Sequence, residues 1–261
     1  MLLVVFSLAL RYNEAVVSYS AQELNVPEEI ETSESGSPIY RHKPRDEQFQ
    51  FVDQDTEALE KIEEHIGRYI GGQGMVWHEL IPGVVHVDIH MLPPTAEHPY
   101  HTLVTTGMSD RRANVPPGAE EFQYAEILIC LPPDWQLDEK EFGMEENYWP
   151  LRWLKILARL PHEYDSWLGY GHTVPNGDPP EPFASNTKLC CALISLPTLF
   201  GDDFVQLKVN EEKTVRCLSF IPIYLEEIEF KLKHGSDALF ERLKSNGVTE
   251  LLDINRKNVC V

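Results

Sequence analysis

Three side chains that could bind a metal ion or exchange protons alternate along one stretch of the chain: His86, Asp88 and His90. Residues two apart in a β-strand point to the same side, so in a strand these groups would share one face. The intervening residues are apolar and would face the core: Val85, Val87, Ile89 and Met91. His98, His101 or His172 could supply a third metal ligand, and the alternative interpretation is a metal-dependent hydrolase that uses His86, Asp88, His90 and His172. Such rows more often form a hydrogen-bonded polar network, and this is the interpretation we prefer.

Known catalytic templates are missing from the rest of the sequence. It contains no G-x-S-x-G nucleophile motif, no P-loop and no G-x-G-x-x-G dinucleotide motif. Ser109, in the segment Gly107-Met-Ser-Asp, lacks the second glycine of a nucleophile elbow. Cys190 and Cys191 lie in an apolar run without the electropositive neighbours that activate a thiol. We therefore predict no catalytic residue, no bound metal and no cofactor.

The charge balance restricts the class of ligand. Among 261 residues, 42 are acidic and 22 are basic, which gives a formal charge of −20. Binding to phosphate groups needs clustered lysine and arginine, so we expect neither nucleic acid nor an anionic membrane as a partner. The excess of acid favours solubility and fast encounter with basic partners, although a solvated acidic surface without a partner is equally consistent with it.

Cysteine usage and the first residues bear on localisation. The five cysteines are odd in number and show no framework spacing, which favours free thiols in a reducing compartment and hence the cytoplasm. Residues 1–10 are apolar but lack a basic preceding region, and ten residues are too few to span a bilayer as a helix. For residues 1–20 the sequence leaves two alternatives open, retention in the mature protein or a weak signal segment.

The arrangement of turn residues and apolar spacing predicts a flexible acidic leader over residues 1–48 and one α+β domain over residues 49–261. We expect a mixed, mainly antiparallel central sheet flanked by helices. Helical spacing covers residues 55–69, 223–233 and 237–245, and Pro150 suits the first turn of another helix. Residues 161–187 are expected to form a long ordered loop. Strands are predicted over residues 75–80, 84–92, 102–106, 124–131, 189–196, 204–208 and 215–222.

Aromatic and turn residues complete the set of candidates. Trp153 lies at helical spacing and is expected in the core, whereas Trp135 and Trp167 either line a groove or pack inside. Gly171-His172-Thr173 and Asn176-Gly177 have the composition of tight turns.

Five ordered segments together resemble the suppressor-of-fused family, including its bacterial members. The segments are HVDIHMLPP (86–94), TLVTTGMSD (102–110), AEILICLPPDW (125–135), WPLRWLKILARLP (149–161) and GHTVPNG (171–177). The resemblance runs from about residue 59 to about residue 221, and it is specific as an ordered set rather than through any one motif.

The resemblance implies a non-enzymatic domain that binds another protein. Animal members sequester a transcription factor by gripping an extended peptide, and bacterial members have been proposed as immunity proteins against secreted toxins. Both imply a sheet edge or cleft that receives a partner strand, such as an extended peptide or a basic toxin. A scaffold that assembles through the acidic leader is a third possibility. The partner-binding residues implied are His86, Asp88, Thr106, Gly107, Met108, Ser109, Trp135, His172, Thr173, Asn176 and Gly177.

Overall fold

A large mixed β-sheet forms the centre of the computed structural model, which describes residues 2–5, 30–42, 54–71, 73–78, 84–138 and 140–261. Within these ranges the sheet has eleven strands. They are β1 (Leu2–Val5), β2 (Ile30–Thr32), β3 (Pro38–His42), β4 (Met75–Trp77), β5 (Asp88–Leu92), β6 (His101–Thr106), β7 (Ala125–Leu131), β8 (Thr173–Pro175), β9 (Cys191–Ser195), β10 (Gln206–Lys208) and β11 (Thr214–Ile223). The helices are α1 (Thr56–Tyr69), α2 (Glu145–Glu163), α3 (Leu225–His234) and α4 (Ser236–Ser245).

The strand order across the sheet is β2-β3-β1-β8-β9-β11-β7-β6-β5-β4, and β10 pairs with β11 beside this path. Strands β7 and β11 run parallel, and the other pairs are antiparallel. The predicted α+β class with a mixed, mainly antiparallel sheet is therefore confirmed. No helix in the described part of the chain is long and apolar enough to cross a membrane.

The two faces of the sheet carry separate apolar cores because successive strand residues point to opposite sides. On one face α2 packs Trp149, Trp153 and Leu157 against alternate residues of β5, β6 and β7. On the other face α1 packs Ile62 and Ile66 against the residues in between. Helices α3 and α4 cover β9 and the end of β11 on the same face as α1.

Helix α2 begins five residues before the predicted start. Pro150 lies inside the helix, where it has no N–H to donate to the carbonyl of Glu146, four residues back. That carbonyl instead accepts a hydrogen bond from the side-chain amide of Asn186 at 3.2 Å. Asn186, which is distant in sequence, thus compensates for the missing hydrogen bond. The preference of proline for the first turn of a helix therefore places the start of α2 too late.

Residues 2–5 and 30–42 of the predicted leader include strands, and the division of the chain at residue 48 stays a prediction. Strand β3 pairs antiparallel with β1 at four positions, from Leu2↔His42 to Val5↔Ile39, and with β2 on its other side. Strand β1 also pairs with β8 at Val5↔Thr173. The rest of the leader lies outside the described residues. The composition of this segment shows its charge, but it does not show which strands the segment can pair with.

Candidate functional site

The alternation around β5 has the predicted consequence for packing. Val85, Val87, Ile89 and Met91 are buried in the core beneath α2. The polar residues take the opposite side, where His86 is half-buried and Asp88 and His90 are buried. The ring of His90 is hydrogen-bonded to the hydroxyl of Thr106 on β6, with 3.2 Å between Nε2 and Oγ1. Burial lowers the pKa of His90, which favours the neutral ring.

Asp88 lies between two imidazole rings. His78 Nδ1 is 2.9 Å from one carboxylate oxygen, and His86 Nε2 is 3.0 Å from the other. His78 directly follows β4, whose register places Trp77 opposite Ile89. His78 was not among the predicted site residues, because only the pairing of β4 with β5 brings it to Asp88. The three groups form a polar network at the end of the sheet, as the preferred interpretation of this row predicts.

The hydrolase alternative includes His172, which the fold places elsewhere. It precedes β8, and four strands separate β8 from β5, so at ~4.8 Å per strand the two lie roughly 24 Å apart. Within the described ranges, no group of three His, Cys, Asp or Glu side chains is arranged to hold a metal ion. The structure therefore does not bring together the four residues of that alternative.

The segment from Thr106 to Ser109 is a buried turn. Gly107 has a φ of +97°, and a Cβ there would overlap the carbonyl oxygen of His86, so only glycine fits. The carbonyl of Met108 accepts a hydrogen bond from His162 Nε2 at 2.9 Å. Thr106, Met108 and Ser109, which the sequence placed among the partner-binding residues, therefore have buried side chains. Their turn fixes the backbone beneath the Asp88 network.

Glu126 holds the same turn from β7. One of its carboxylate oxygens accepts hydrogen bonds from the backbone N–H and the hydroxyl of Ser109, at 2.9 and 2.7 Å. The other accepts from the hydroxyl of Thr105 at 2.7 Å. Burial raises the pKa of Glu126 to about 7, although these hydrogen bonds act in the opposite direction. The sequence signal for this residue is a single acid within the apolar run of β7.

His172 and Thr173 lie in a second region, around β8, and both are fully buried. His172 Nδ1 accepts a hydrogen bond from the N–H of Gly169 at 3.1 Å, and burial holds its pKa well below the usual value. The hydroxyl of Thr173 accepts from Nζ of Lys231 on α3 at 2.9 Å. Burial also lowers the pKa of this lysine, to about 7.

Asn176, which is half-buried, and Gly177 form the part of this second region that reaches the surface. The Asn176 side-chain amide donates to the carbonyls of Glu181 and Pro182, both at 2.9 Å, and so closes the loop on itself. Gly177 is exposed with a φ of +97°. The turn predicted from the Asn-Gly pair is therefore confirmed.

Trp135 lies half-buried beside the start of α2. Its indole Nε1 donates to the carbonyl of Asn147 at 3.0 Å, and its ring meets Trp149 edge-on with 6.3 Å between centroids. Trp149 stacks in turn on Phe183 of the loop that follows Gly177, at 4.8 Å. Trp135 thus belongs with the second region. The predicted site residues form two groups, one at the ends of β5 and β6 and one around β8 and Trp135.

Most of the domain matches the model of a known protein family. Residues 83–257 match the family model described as Suppressor of fused protein (SUFU). No curated protein matches the sequence.

Solved structures share the fold at low sequence identity. A crystal structure described as a SUFU homolog from Neisseria gonorrhoeae FA 1090 matches with a TM-score of 0.57 and 18% identity, over 77% of this chain and 95% of that one. The Sufu–Fu complex matches with a TM-score of 0.56 and 14% identity, over 77% and 91%. Drosophila Suppressor of Fused matches with a TM-score of 0.56 and 15% identity, over 84% of this chain and 52% of that one.

Proposed function

Because this chain belongs to the suppressor of fused family, we propose that it is a non-enzymatic domain that binds, and so sequesters or neutralises, a protein partner. The single observation that carries the proposal is that a relative with this fold was solved as the Sufu–Fu complex. In this proposal the chain acts either as an immunity protein or as a regulatory adaptor, and it works without a cofactor.

The members of the two groups that reach the surface supply the contacts in this proposal: the half-buried His86, Trp135 and Asn176 and the exposed Gly177. Half-buried Trp135 is suited to anchor an interface through the apolar area of its ring, since its indole N–H already donates to the carbonyl of Asn147. The buried members set the backbone beneath these contacts: Asp88, Thr106, Gly107, Met108, Ser109, His172 and Thr173.

The partner's expected chemistry follows from charge. With a net charge of −20, the domain attracts a basic toxin or a basic extended peptide and repels nucleic acid and anionic membranes. We place this encounter in the cytoplasm. The supporting observation is that the five cysteines are free and that four of them are buried, where burial raises their pKa values and keeps the thiols unreactive.

The experiment is affinity capture from the native host, with the tagged full chain at low and at physiological salt. We expect one specific basic protein, retained by the wild type and by Leu225→Ala, which truncates an exposed side chain on α3. Trp135→Ala should lose most of it. Absence of any specific protein at both salt concentrations would contradict the proposal, as would turnover of a small molecule that Asp88→Asn abolishes.

A further inference from the structure

Strand β4 is the last strand of the sheet, and within the described ranges no other strand pairs with its outer edge. Proteins usually protect such edges with charged side chains or proline, because unpaired N–H and C=O groups can accept a foreign strand. Strand β4 carries neither, since its residues are Met75, Val76 and Trp77. The strand at the opposite edge, β2, does carry a charged residue, Glu31, which forms an ion pair with Arg41 of β3 at 2.9 Å.

An apolar strip adjoins the β4 edge. Met75 and Trp77 share one face of the strand, and Met75 is 63% exposed. The ring of Trp77 meets Phe142 edge-on at 4.8 Å between centroids, and Phe142 lies 5.7 Å from Tyr148. Met144, in the same segment as Phe142, is 48% exposed. Contiguous apolar surface of this kind marks interaction sites on soluble proteins.

The surroundings of this strip are mostly acidic, although Lys155 Nζ lies 5.3 Å from the centroid of the Trp77 ring. The described residues between 134 and 146, which include Phe142 and Met144, contain one lysine and five acids: Asp134, Asp138, Glu141, Glu145 and Glu146. A second copy of this chain would bring another charge of −20 to the same place and would be repelled. A basic segment would be attracted. The edge also runs directly into the His78–Asp88 pair of the candidate site.

We propose that an extended, basic segment of a protein partner adds to the sheet as a strand along β4. Its backbone pairs with the β4 edge, its alternate apolar side chains cover Met75 and Trp77, and its basic side chains face the acids of residues 134–146. Main-chain pairing supplies affinity in this binding mode, and side-chain contacts supply selectivity. This inference rests on the proposed protein-binding function and adds the location and the chemistry of the bound segment.

The test uses the full chain and a synthetic peptide of four Lys-Val repeats, with four Glu-Val repeats as the matched probe. Labelled peptide is titrated by fluorescence anisotropy, and backbone amide shifts of the protein are followed by NMR. We expect saturable binding of the Lys-Val peptide, with shifts centred on Met75–Trp77, and no binding of the Glu-Val peptide. Met75→Lys should weaken binding at least tenfold. The control Leu225→Lys makes the same charge change at another exposed apolar residue and should stay within twofold.

Three results would overturn the inference: amide shifts centred on another element, equal losses in both lysine variants, or a wild-type dimer that Met75→Lys dissociates. The third result would make a second copy the occupant of the edge. The outcome is separable from the proposed function, because a partner captured equally by wild type and Met75→Lys leaves protein binding intact and refutes the β4 edge. Failure to capture any partner refutes the function itself.

Discussion

The hydroxyl and the backbone N–H of Ser109 donate to the same oxygen of the buried Glu126 carboxylate, at 2.7 and 2.9 Å. This arrangement ties the end of β6 to the start of β7 through a side chain that has no contact with solvent. The turn that it holds lies beneath the Asp88 network, so the geometry of the first group of site residues depends on a buried acid.

Gly107→Ala should destabilise the protein by roughly 3 kcal/mol or more, since the new methyl group overlaps the His86 carbonyl and the backbone keeps a positive φ. Gly118→Ala is the matched control. Its φ of +90° imposes similar backbone strain, but open space surrounds the added methyl group, so we expect a loss of about 1–2 kcal/mol. Urea unfolding followed by circular dichroism measures both, and equal losses would show that the close approach to His86 has no energetic effect.

Arg256→Met should cost about 3–5 kcal/mol, because it leaves the fully buried carboxylate of Glu227 without its cation. Arg256 Nη1 donates to Glu227 at 2.7 Å, and both side chains are shielded from solvent. Lys208→Met breaks an exposed pair with Glu211 of the same length and should cost at most about 1 kcal/mol. Adding Glu227→Gln to Arg256→Met should recover part of the loss. No recovery would indicate that Arg256 acts through packing and not through charge.

Local pattern was sufficient to predict most of the regular structure. The helical spacing of residues 55–69 corresponds to α1, where the Asp55 side chain accepts from the N–H of Ala58 at 3.0 Å. The apolar run of β7 and the alternation around β5 likewise gave strands, and both strands are buried on both faces. These elements could be predicted because they depend on contacts between residues close in sequence or on the periodic spacing of apolar residues.

Pairings between distant residues could not be predicted in this way. The start of α2 depends on Asn186, which compensates for Pro150, and the ordering of β3 depends on its pairing with β1. The prediction of the site lacked the same information on strand pairing. The sequence placed His86 and His172 in one candidate surface, whereas the strand order of the sheet separates them. His78 was missed because only the pairing of β4 and β5 brings it to Asp88.

His162→Gln should remove a source of acid sensitivity. Burial lowers the pKa of His162 from 6.5 to about 4, so the folded state holds the neutral ring while the unfolded state protonates. The stability that this residue contributes is therefore present above pH 6.5 and is lost as the pH falls towards 4, by about 3 kcal/mol in total. Glutamine can still donate to the carbonyl of Met108. Unfolding free energies measured from pH 4 to 7.5 should fall less steeply in the variant, and parallel profiles would contradict the prediction.

Glu126→Gln should act with the opposite sign. Burial raises the pKa of Glu126 from 4.5 to about 7, so between these values the folded state keeps a proton that the unfolded state has released. The stability that this residue contributes is therefore present below pH 4.5 and is lost as the pH rises to about 7, by about 3 kcal/mol in total. Glutamine keeps an acceptor for Ser109 but does not ionise. The free energy of unfolding of the wild type minus that of the variant should therefore fall between pH 5 and 8.

The difference between the two proteins cancels the buried groups that do not interact with Glu126. Asp110, whose pKa burial also raises, does interact with it and contributes to the raised pKa of Glu126, so the measured difference reports the titration of this coupled pair. Glu126→Ala is the second variant, since it removes the acceptor for Ser109 and should destabilise the protein at every pH. A pH-independent difference between wild type and Glu126→Gln would mean that the carboxylate stays ionised in the fold. In that case, the three hydrogen bonds from Thr105 and Ser109 would outweigh the cost of burial.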